Sequence, residues 1–144
     1  MFSGSEPSTM IFTSALAAAA LYAGLNTLII LALSFATIRQ RLSLKVDLGD
    51  GGHAPLARAI RGHGNAAETI PLALVLLVLV ALAGAPAAAV HALGLALTVG
   101  RALHGWHFTH EGAPMWQRKY GMLLTLLVLI FAALGLIGHA LGSL

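Results

Sequence analysis

Apolar residues run along this chain in four long stretches, roughly 10–38, 56–83, 87–106 and 115–141, separated by short polar or glycine-rich segments. A helix crosses the hydrocarbon core of a bilayer with about 20 apolar residues. The third stretch meets that length and the others exceed it. The pattern therefore predicts an all-α integral membrane protein, a bundle of four transmembrane helices forming one domain over 1–144. Residues 1–9 are polar, carry Glu6 and have no basic residue. They lack the positive start of a signal peptide, so the first stretch is expected to be retained. Arg39, Gln40 and Arg41 are expected to end the first helix at a membrane surface. Gly84-Ala85-Pro86 leaves room only for a tight turn, which makes the second and third helices antiparallel neighbours.

The polar positions inside these stretches are few, and one group stands out. Arg58, Arg61, Asn65 and Glu68 are three, four and three apart, which on a helix places them within an arc of roughly 80°. Counting about 20 residues back from Ala83 reaches Gly64, so Asn65 and Glu68 fall within the hydrocarbon and Arg61 and Arg58 at headgroup level. An ionised carboxylate at that depth costs about 3 kcal/mol or more unless paired or wet. An Arg61–Glu68 packing salt bridge would answer that need, but four polar residues on one face exceed what packing requires. The face reads as a site. Pro71 follows it and predicts a kink near Ala67, because its ring removes a backbone donor.

Composition agrees with the pattern. The chain is 58% hydrophobic and 9% charged, with a mean hydropathy of +0.88, a balance that excludes a soluble domain. It has no cysteine, so any thiol chemistry must use a thiol brought by a ligand. The pI near 10.0 arises from few charges and no Lys/Arg run with interleaved aromatics, so nucleic acid is not an expected partner. Gly49-Asp-Gly-Gly52 is a turn; it has neither the ligands of a calcium loop nor the lysine of a phosphate loop. If the helices alternate, all 8 Lys and Arg residues gather at one membrane face. The positive-inside rule then puts both termini outside and opens the site to the cytosol. Within the helices, Ala17, Ala20 and Gly24 suit close helix contact, Gly138 and Gly142 do so weakly, and Asn26 suits a helix–helix hydrogen bond.

The 7 histidines raise a metal or haem reading. His104, His107 and His110 are spaced by three without an acidic or cysteine partner at ligand spacing. His91 and His139 could meet at the outer level and grip a haem. Interfacial roles are preferred for His53, His91, His110 and His139, and no metal site is assigned. Arg101, His104 and Phe108 share a face of the third helix. Arg118 opens the fourth at the level of Arg61, serving either a site or an anchor at the membrane surface, while Lys119 points about 100° away toward headgroups or solvent.

Arg61-Gly-His-Gly-Asn-Ala-Ala-Glu-Thr-Ile-Pro71 resembles the second-helix signature of the MAPEG proteins (membrane-associated proteins in eicosanoid and glutathione metabolism). Gly100-Arg-Ala-Leu-His104 resembles that family's third-helix motif, and Arg118 stands near the start of helix four, so the resemblance covers nearly the whole chain. It implies a homotrimer of four-helix bundles in a bacterial inner membrane, with glutathione as co-substrate between neighbouring subunits. Arg61, Asn65 and Glu68 would contact glutathione, with His104 also in the binding set. Arg39 and Arg58 would offer charge to its carboxylates, and Arg118 would stabilise its thiolate. Phe108 stands where the pattern often has tyrosine, and Gly64 where some eukaryotic members have arginine. The implied activity is a glutathione transferase or peroxidase acting on lipophilic molecules that enter from the membrane lipids. A non-catalytic membrane protein of the same fold and a haem or metal protein remain as alternatives.

Overall fold

The computed structural model describes residues 13–144; the polar residues 1–9, with Glu6, and the expected helix start at 10–12 lie outside the described residues. Four helices follow: α1, Ser14–Leu44; α2, Ala54–Leu82; α3, Ala87–Thr109; and α4, Met115–Ser143. Each is long and apolar enough to cross a membrane, and the chain is an all-α integral membrane protein.

The helix ends have local causes. Thr13 caps α1 by accepting the Leu16 N–H at 3.2 Å. α1 does not stop at Arg39–Arg41 as expected but continues to Leu44, and Lys45 ends it in the left-handed region at φ 54°. The stop was misplaced because Arg41 is part of the cap. Its Nη1 donates to the carbonyls of Val46, Asp47 and Gly49 and folds the loop back onto the helix. α2 starts with Pro55 in its first turn, where a missing N–H costs nothing, and runs unbroken through Pro71. Gly84, at φ 86°, makes the turn into α3.

α2 and α3 form the centre. Each packs against the other three helices, whereas α1 and α4 lie on opposite sides and do not touch. At one end, Ala15, Ala18, Ala19 and Tyr22 of α1 meet Leu77 and Ala81 of α2 and Val90 of α3. Ala17, Ala20 and Gly24 are exposed, so the buried face of α1 is its neighbouring face, not the expected one. Small residues occur on both faces, and spacing alone does not choose between them. Asn26 is fully buried and does bridge helices, donating to Thr98 Oγ1 at 2.8 Å and to the Tyr22 carbonyl at 2.9 Å.

Close helix contact depends on other glycines than Gly138 and Gly142, which face open space. A Cβ on Gly100 would lie 2.9 Å from the Gly121 carbonyl, and one on Gly121 would lie 2.6 Å from the Gly100 carbonyl. This pair lets the backbones of α3 and α4 meet.

Candidate functional site

Toward the basic end of the bundle, α2, α3 and α4 line an open cavity of about 530 Å³. Arg61 and Asn65 come from one face of α2, His104 and Phe108 from one face of α3, and Arg118, Lys119 and Met122 from α4. Within each helix the paired residues are four apart, so each pair stands on a single face. Two close approaches bring the faces together. A Cβ on Gly62 would lie 2.5 Å from Phe108 Cβ, so only glycine lets the ring lie against α2. The Gly100–Gly121 contact sets α4 against α3 one turn beyond Arg118. The Arg118 guanidinium then sits 5.4 Å from the centre of the Phe108 ring, within cation–π reach.

The rim and floor differ in solvation. Arg61, Arg118 and Lys119 are exposed, Asn65 is half-buried, and His104 is buried with its ring 5.0 Å from that of Phe108. Among the described residues no carboxylate lines the cavity, so it favours anionic groups. Lys119 borders the cavity and is exposed, which agrees with the expectation that it meets headgroups or solvent. Its ammonium lies 5.9 Å from the Tyr120 ring centre.

Behind this wall stands a residue that sequence reasoning left out of the site. Arg101 is fully buried, its Nη2 donating to Asn65 Oδ1 at 3.0 Å and lying 3.3 Å from His104 Nδ1. An arginine deep in an apolar stretch, three residues before His104, was the available signal.

The other expected residues lie elsewhere. Arg58 is occupied in closing α3, since its Nη2 donates to the carbonyls of His107 and His110. Arg39 lines a separate groove of about 640 Å³ between α1 and α3, with Gln40, Gly105, Trp106 and His110. Phe108 belongs to the walls of both cavities. Glu68 is exposed on α2 outside the cavity, on the helix face that carries Leu72, Val75 and Leu79. His91 contacts Tyr22 Oη at 3.0 Å, whereas His139 lines a groove beside Gly84 and Phe131. Among the described residues no three His, Asp or Glu side chains form a group able to hold a metal.

The sequence model of the MAPEG family matches residues 19–138. Inner membrane protein YecN of Escherichia coli (strain K12) is 41% identical over 115 residues, covering 80% of this chain and 86% of that protein. The protein of the same name from Escherichia coli O6:H1 matches to the same extent.

Proposed function

The chain belongs to the MAPEG family, and from that premise we propose that it is a glutathione-dependent transferase or peroxidase acting on lipophilic electrophiles. The observation that carries this reading is the convergence of Arg61, Asn65, His104, Arg118 and Lys119 on one cavity that no carboxylate of the described residues lines. Glutathione brings two carboxylates and a thiol, and guanidinium forks bind carboxylates through paired hydrogen bonds while keeping their charge.

In this reading Arg61 holds a carboxylate, and Arg118 and Asn65 face the sulfur. A free thiol has a pKa near 8.5, so at neutral pH it is mostly protonated, and a guanidinium beside it favours the thiolate. The thiol proton passes to solvent. The thiolate then attacks an electrophilic carbon, a carbon–sulfur bond forms, and the leaving group departs with its electron pair. With a hydroperoxide the sulfur takes the terminal oxygen instead and the O–O bond breaks. The alkoxide leaves with the electron pair and takes a proton from solvent to become the alcohol, and a second glutathione condenses with the sulfenic acid to give the disulfide and water. The lipophilic partner enters from the bilayer between the helices.

Assembly and placement follow from the same premise. An inner membrane suits the kinship with YecN, and the basic end, with the cavity, faces the cytosol by the positive-inside rule. A homotrimer would cover the outward face of α2, where Glu68 stands among apolar residues, and free Glu68 to meet the ammonium of glutathione. It would also bring Arg39 of α1 to a neighbour's site.

Calorimetric titration of the detergent-solubilised protein with glutathione tests the reading. Glu68→Gln should weaken binding by about 2 kcal/mol or more, as loss of a buried charge pair does. Arg61→Lys should weaken it as well, since lysine has no planar fork. Unchanged affinity in both variants would overturn it.

A further inference from the structure

Arg101 is the one wholly buried charge in the described bundle, yet its hydrogen bonds go to neutral groups. A guanidinium offers N–H donors and no acceptor. Its bond to Asn65 therefore requires the amide oxygen on the inner side, which leaves the Asn65 Nδ2 hydrogens for the cavity. Its contact with His104 requires a lone pair on Nδ1, so the ring proton sits on Nε2. Arg101 thus sets the polarity of two cavity-lining side chains without lining the cavity itself.

We infer that Arg101 is a positioning residue that makes the cavity wall donors-only, selecting a ligand group that is an anion or an acceptor and rejecting an ammonium. Arg61, Arg118 and Lys119 also present donors alone, and the remaining lining side chains are Phe108 and the methionines Met115 and Met122. The charge of Arg101 points the same way. Its Nε and Nη1 find no acceptor among the described residues, and none of those residues pairs with its charge. The cavity on the other side of Asn65 and His104 offers a place for a compensating negative charge. The identity of the ligand rests on the glutathione reading. Under it, the group seated against Asn65 and His104 is the thiolate sulfur, and the α-ammonium lies away from this wall.

The test has two arms on the full chain in detergent. In the first, the protein carries ¹⁵N-labelled histidine, and two-bond ¹H–¹⁵N correlations assign each ring, with His104→Gln identifying the His104 signals. His104 should carry its proton on Nε2 in the wild type and in Arg101→Lys, and lose that fixed state in Arg101→Met. A proton on Nδ1 in the wild type overturns the inference, as does an unchanged spectrum in Arg101→Met. Should Arg101→Met not fold, the wild type and Arg101→Lys still decide. In the second arm, calorimetry compares glutathione sulfonate, anionic at sulfur, with S-methylglutathione, neutral there. The wild type should favour the sulfonate by about tenfold, the scale of a charged hydrogen bond, with the preference lost in Arg101→Met. Equal affinity of the wild type for the two overturns selection of an anion. If neither compound binds, the glutathione reading fails, while the first arm still decides the role of Arg101.

Discussion

Arg118 stands one turn before Gly121 and within cation–π reach of Phe108, so ring and helix contact together hold its guanidinium at the cavity. If it stabilises a thiolate there, Arg118→Ala should raise the pKa of bound glutathione thiol and slow turnover, with glutathione affinity changed less. Thiolate absorbance in the near ultraviolet, titrated with pH in wild type and variant, reads this directly. An identical thiol pKa in both would return Arg118 to anchoring the helix at the membrane surface. At this scale part was legible: helical spacing puts Arg61 with Asn65 on one face of α2 and His104 with Phe108 on one face of α3. Arg118, by contrast, was joined to them by the family resemblance, and Arg58 and Glu68, on the same predicted arc as Arg61, lie outside the cavity. Arg101 was not legible. Its place depends on Asn65 of another helix lying within 3.0 Å, and no spacing within α3 reports that.

Among the elements, α3 depends most visibly on a neighbour. Its final carbonyls, at His107 and His110, are met by Arg58 of α2, and such orphan groups at a helix end need a donor. Arg58→Ala should therefore destabilise the protein by about 1–3 kcal/mol, the worth of hydrogen bonds from a charged donor, and change glutathione affinity little. Thermal unfolding in detergent beside calorimetry separates the two. Lost affinity at unchanged stability would place Arg58 on the ligand instead. The four helices and the turn at Gly84 were legible from apolar run length and one glycine–proline pair. The buried face of α1 was not, since alanine is equally at home against lipid and against another helix. Nor was the reach of α1 past Arg41, whose side chain bonds the loop beyond the helix and so belongs to its cap.

For the whole molecule, a single bundle leaves Glu68 exposed on a face otherwise made of Leu72, Val75 and Leu79. An ionised carboxylate facing lipid costs about 3 kcal/mol or more, so a neighbouring copy should cover it. Native mass spectrometry in mild detergent should show trimers, and monomers alone would count against that assembly. The burial of Arg101 against Asn65 also constrains how the chain enters the bilayer. α3 is the least apolar of the four helices, and an arginine within a span opposes its transfer by about 3 kcal/mol. Asn65, which meets that arginine, is made before it, and the tight turn at Gly84 delivers α2 and α3 as one hairpin. Biogenesis should then depend on the order of synthesis. In a glycosylation reporter of translocon insertion, α3 alone should insert poorly, and the α2–α3 pair should insert well. Asn65→Leu in the pair should lower the inserted fraction of α3 although it makes the hairpin more apolar.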